Sequence, residues 1–105
     1  MKGELIISVL KENNNLLRRH HVKKIGLFGS YVRGEESGAS DVDLLVEFDE
    51  SAFGANFRGY FDAVTSLSAD LGVLLNQSVD LVTVDMLSPH IAPKVLKEVK
   101  FIEGV

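Results

Sequence analysis

The chain has 105 residues, close to half of them hydrophobic and a quarter charged, with a formal net charge of −4. A chain of this length is read as one domain over residues 1–105, with a core that buries roughly 60–70% of the unfolded surface. It contains no cysteine, which excludes disulfides and thiolate metal sites. No apolar run approaches the ~20 residues of a membrane span and the amino terminus lacks a signal-peptide core, so a soluble cytoplasmic protein is expected. The acidic balance argues against a dedicated nucleic-acid binder and no direct nucleic-acid contact is expected.

In chain order, residues 3–20 have Leu5, Ile6, Val9, Leu10, Leu16 and Leu17 near helical spacing and predict a helix. A basic run, Arg18 to Lys24, follows it. Ile25–Phe28 is a short apolar strand broken by Gly29-Ser30, and Tyr31–Gly34 is a turn or a short helix. A polar loop, Glu35–Ser40, leads into a second strand over Val42–Phe48. Asp49–Asn56 reads as a connection. Phe57–Leu75 is the longest helix, with Phe57, Tyr60, Phe61, Val64, Leu67, Leu71 and Leu74 on its stripe. Val79–Val84 is a third strand, and Ser88-Pro89 opens a last helix with Ile91, Val95, Val99 and Ile102 on its buried face. The order predicts an α/β (α+β) domain, a small three-stranded sheet flanked by about four helices.

The chemistry concentrates between Gly29 and Glu47. Asp41 and Asp43 stand two apart, so on a strand both carboxylates would point to one face, ~6–7 Å apart at Cα. Two like charges on one strand face repel, and a divalent cation would offset that. Taken alone, the pair reads first as a loop cap and a solvent-facing strand residue. Gly29-Ser30 sits where a strand ends, and a glycine turn with exposed amides and a hydroxyl suits an anionic phosphate. Asp80 lies inside an apolar strand. It either faces water at the strand end or joins Asp41 and Asp43, in which case three carboxylates could support two metal ions ~3.5–4 Å apart.

The run Gly29-Ser30-x-x-Arg33-Gly34-x5-Ser40-Asp41-x-Asp43-Leu44 resembles the signature of the minimal nucleotidyltransferases (MNT), a branch of the DNA polymerase beta superfamily. The order of elements and the later Asp80 strand extend that resemblance over essentially the whole chain. One departure is Val32, where the family often has alanine. The resemblance implies a nucleotidyltransferase fold with Gly29 and Ser30 holding a triphosphate. It implies Asp41 and Asp43 as magnesium ligands, and Asp80 as the residue that completes the metal site and helps deprotonate the acceptor. Arg33 and Ser40 match the signature, Arg33 either touching phosphate or bracing the acidic loop through Glu35 or Glu36. The cofactor implied is Mg2+, two ions, with ATP as substrate. The acceptor implied is a tyrosine of a HEPN-domain toxin, for which this chain would be the antitoxin, in a homo- or hetero-oligomer. A contact-only antitoxin and a small-molecule nucleotidyltransferase are the alternatives.

The remaining features read as structural. Arg18 to Lys24 complements a helix carboxyl terminus. His20 and His21 are solvated helix-end residues. Phe53 is a candidate exposed contact, and Phe101, Ile102 and Val105 are candidate exposed apolar surface.

Overall fold

Val42–Phe48, the strand β2, is apolar at every position but Asp43 and Glu47 because it lies inside a sheet with neighbours on both edges. In the computed structural model, which describes residues 2–38, 40–53 and 59–102, four strands run in the order β3-β2-β1-β4. They are β1 Val22–Phe28, β2, β3 Val79–Val82 and β4 Lys100–Phe101. β1 is antiparallel to β2 and to β4, while β2 and β3 are parallel. The helices are α1 Gly3–Glu12, α2 Asn14–Arg19, α3 Ser30–Arg33, α4 Tyr60–Leu75 and α5 Ala92–Glu98, with 3-10 turns at Glu50–Phe53 and Val84–Met86.

The period-two alternation of strands divides the sheet into two faces with different duties. On one face Ile25 pairs with Val46, Leu27 with Leu44 and Val42 with Val79, and these residues join Ile6, Leu10, Leu17, Leu67, Leu71 and Leu75 in one buried cluster. On the other face Gly26 lies opposite Leu45, Phe28 opposite Asp43, and Asp43 opposite Asp80. The helical face stabilises the fold, and the opposite face carries the charge.

Four expectations change. The first helix is two: it breaks at Asn13 (φ −112°, ψ 32°), whose side-chain Nδ2 donates to Val9 O at 2.7 Å. Three consecutive asparagines, Asn13 to Asn15, offer the backbone such side-chain partners and weaken helix there. The last helix starts at Ala92, with Pro93 in its first turn, and Ser88-Pro89 instead forms a preceding turn closed by Ile91 and Ala92 N–H groups on Ser88 O. Ile91 is therefore exposed. That helix ends at Glu98, Val99 is extended, and Lys100–Phe101 form a fourth strand against β1, so the sheet has four strands, not three. Gly26 makes this possible: a Cβ there would stand 2.6 Å from Val99 Cγ2 and 2.9 Å from Phe101 Cδ1.

Other features also move. Phe61 is 78% exposed, off the buried stripe of α4. Ile102 is buried, and the ring of Phe101 lies 4.1 Å beneath Lys24 Nζ, so neither forms an open apolar patch. His20 is not merely solvated, since its Nε2 meets Asp70 Oδ2 at 2.7 Å and ties α2 to α4. Phe57 and Val105 lie outside the described residues, as do the side chains of Phe53 and Tyr60. No described helix is long and apolar enough to cross a membrane.

Leu67 is fully buried between α4 and the sheet. Leu67→Ala is expected to cost about 3 kcal/mol, read as a fall in the urea midpoint at unchanged slope.

Candidate active site

The charged face begins with one residue, Asp43. Its Cα partners are Phe28 on β1 and Asp80 on β3, so two aspartates lie side by side on adjacent parallel strands, ~4.8 Å apart in the pairing direction. β2 starts at Val42, whose N–H donates to Ser78 O at 2.8 Å, which places Asp41 just before the strand and exposed. The structure thus brings Asp80 to Asp43 as a register partner, and Asp41 approaches from the loop rather than from the strand.

The environment marks Asp43 out electrically. Its carboxyl is pushed up to about 6, first by burial and then by the charges of Asp80 and Asp41, with Glu98 adding and Arg33 opposing. A half-buried carboxyl that three other carboxylates repel is a site short of positive charge, and a hard divalent cation fits such an oxygen donor set. Among the described residues no group of three His, Cys, Asp or Glu side chains is placed to hold a metal ion by itself. Magnesium needs only one or two protein carboxylates when phosphate and water fill its other positions, so this open arrangement fits magnesium better than a tighter-binding ion.

Gly29 follows β1 and takes φ +80° and ψ −152°, a conformation L side chains rarely adopt. A Cβ here would overlap the Asp43 carboxylate. Glycine is therefore needed twice, for the turn and for the closeness of the turn to Asp43. Gly29 O accepts the Val32 and Arg33 N–H groups at 3.1 and 3.2 Å, which starts α3 with Ser30 as its first residue.

Arg33, on α3, makes two kinds of ion pair. Its Nε donates to Glu35 Oε1 at 2.7 Å, the bracing expected from the sequence, while Glu36 takes no part in it. Its Nη1 donates to both Glu98 oxygens at 3.0 Å. The guanidinium is held protonated first by the Glu35 hydrogen bond and further by the charges of Glu35 and Glu98. Ser40 Oγ accepts the Ser37 N–H at 2.9 Å and Ser40 N–H donates to Ser37 O at 3.1 Å, so this serine shapes the loop that delivers Asp41.

Glu98 is the residue that sequence reasoning missed. It lies 69 residues from Gly29, whose N–H it accepts at 2.7 Å. One signal was available: an acidic residue in the last turn of a helix works against the helix dipole and needs another reason to be there.

The repulsion at Asp43 has a measurable consequence in the metal-free chain. A carboxyl raised in the folded state favours folding below its unfolded value near 3.8, and that contribution is lost as pH rises through about 6. Asp43→Asn removes the effect. In EDTA the variant is expected to exceed the parent in stability by about 1 kcal/mol at pH 8, with solvent screening of a half-exposed group allowed for, and by less at pH 5. Urea midpoints at both pH values check this.

The family model described as "Polymerase beta, Nucleotidyltransferase" matches residues 4–103. The chain is 42% identical over 100 residues to the protein adenylyltransferase MntA of Thermococcus cleftensis, covering 94% of each. Its fold is similar to a toxin-antitoxin structure with AMP-PNP, at TM-score 0.67 and 28% identity, over 92% of this chain and 73% of that one. It is also similar to the complex of a tri-AMPylated Shewanella oneidensis HEPN toxin with its MNT antitoxin, at TM-score 0.58 and 28% identity, over 91% and 71%. The chain belongs to the polymerase beta-type nucleotidyltransferases, in the minimal branch that includes MntA.

Proposed function

We propose that this nucleotidyltransferase transfers AMP from ATP to a protein acceptor, a tyrosine of a HEPN-domain toxin, and so acts as the antitoxin of a pair in the cytoplasm. The observation that carries the reading is the register pairing of Asp43 with Asp80 beside the Gly29 turn. That pairing puts a carboxylate cluster against a turn suited to phosphate. The AMP-PNP and HEPN-toxin complexes of the similar folds support the nucleotide and the acceptor class.

Asp43 and its register partner Asp80 would supply the one or two carboxylates that magnesium takes, with Asp41 beside them at the loop end, and the ion when bound would neutralise charge that builds on the triphosphate oxygens. The chain's own residues do the rest. The Gly29-Ser30 turn and α3 orient the triphosphate beside β2. Asp80, at the exposed edge of the pair, accepts the proton of the acceptor hydroxyl. The acceptor oxygen forms a bond to the alpha-phosphorus as the bond to the bridging oxygen breaks, and pyrophosphate leaves with that electron pair. Positioning and electrostatics, rather than covalent chemistry by the protein, supply most of the rate.

Intact-protein mass spectrometry tests the proposal, with the pure chain, magnesium, ATP and the protein encoded beside it. The expected result is one or more AMP additions on the neighbour, with Asp43→Asn reducing the rate by roughly 10²–10³-fold, the scale for losing one electrostatic stabiliser. A neighbour that co-purifies with the chain yet gains no AMP would replace transfer with neutralisation by contact.

A further inference from the structure

Glu98 ends α5, far in sequence from the aspartates, and its carboxylate gathers two parts of the charged face. Oε2 accepts the Gly29 N–H at 2.7 Å, and both oxygens accept from Arg33 Nη1 at 3.0 Å. The side chain is 16% exposed, although this face is otherwise open to water at Asp41 and Asp80. The next residue, Val99, seats on the bare backbone of Gly26, and Lys100–Phe101 then pair with β1. Backbone contacts on one side and Arg33 on the other therefore fix where this carboxylate stands.

A carboxylate is an odd group to find beside a triphosphate turn. It cannot ligate phosphate, and its charge adds to the repulsion at Asp43. Its hydrogen bonds supply the reason. Gly29 has backbone angles open to few residues and must pass Asp43 closely, and the Glu98 bond pins the amide that leads into this turn. Arg33 has a second carboxylate, Glu35, within 2.7 Å, and Glu98 decides which way the rest of the guanidinium faces.

We propose that Glu98 is a positioning residue for nucleotide binding, a clamp that holds the Gly29 turn and the Arg33 guanidinium in the form that receives the triphosphate. The proposal rests on the reading that this turn is the triphosphate site. Its consequence is that the carboxyl-terminal helix and strand, which carry none of the signature residues, set the affinity for nucleotide. The Gly29 N–H is taken by Glu98, so the triphosphate would be oriented by a turn shaped from behind rather than by that amide.

Two readouts on the metal-free and nucleotide-bound full chain test it. Amide hydrogen exchange followed by NMR reports the clamp itself. Glu98→Ala should speed exchange at Gly29 at least tenfold while Leu44 in β2 keeps its protection, which also shows that the fold survives. Calorimetric titration with magnesium AMP-PNP should give Glu98→Ala a Kd raised roughly tenfold, with Glu98→Gln between it and the parent because the amide oxygen still accepts from Gly29. The proposal is overturned if Glu98→Ala binds AMP-PNP as tightly as the parent or more tightly, the second result making Glu98 a competitor for the phosphate position. A parent chain that binds no AMP-PNP would overturn the triphosphate reading and the proposal with it, whereas loss of the difference between variants alone would overturn only the proposal.

Discussion

Two carboxylates side by side on adjacent parallel strands repel each other, and the fold holds them there. Asp43 and Asp80 are opposed because β2 and β3 run parallel in register, which requires the crossover through α4. α4 buries Leu67, Leu71 and Leu75 against the far face of the same strands. Most of the hydrophobic energy is collected on one face and the electrostatic cost is incurred on the other. The strand alternation keeps the two separate, so the pair can be strained without loosening the core.

That separation explains the shape of the site. With β2 buried on its helical side, the carboxylates stand on the other face, at the end where β1 finishes and β2 and β3 begin. Gly29 lies at that end and has no side chain to obstruct Asp43. Arg33 is close enough to oppose the charge on Asp43 yet is already bound to Glu35 and Glu98. The protein thus leaves a charge deficit that Arg33 does not fill, which is the condition a divalent cation relieves.

Much of this was legible in the residues. The apolar run of β2, the break at Gly29-Ser30 and the spacing of Asp41 and Asp43 fix local structure, and local structure follows from short-range rules. Asp80 was ambiguous from sequence because its role depends on which strand lies beside β3, a fact of topology. Glu98 was hidden for the same reason at greater distance. The carboxyl-terminal strand was misread as helix because Val95, Val99 and Ile102 fit helical spacing. The tertiary fit of Val99 and Phe101 over Gly26 prevailed over that pattern. The break at Asn13 and the start of α5 at Ala92, just before Pro93, were local signals, present in the asparagine run and the second proline, that the apolar periodicity outweighed.

The two-residue strand β4 bears on how the chain acquires its structure. β1 and β2 pair over short separations and can form early, since the entropy of closing a loop grows with its length. The contact between Gly29 and Glu98 spans 69 residues, and beyond it the chain is secured by the two β4 residues, by the Ile102 N–H on Ile25 O and by the burial of Ile102. Folding would therefore build most of the hydrophobic body first and seat the last segment, with Ile102, afterwards. The same segment would be the first to detach in native-state fluctuations, at a free energy well below that of global unfolding. A core intact by every bulk optical measure could then coexist with a turn that has lost its fixed shape.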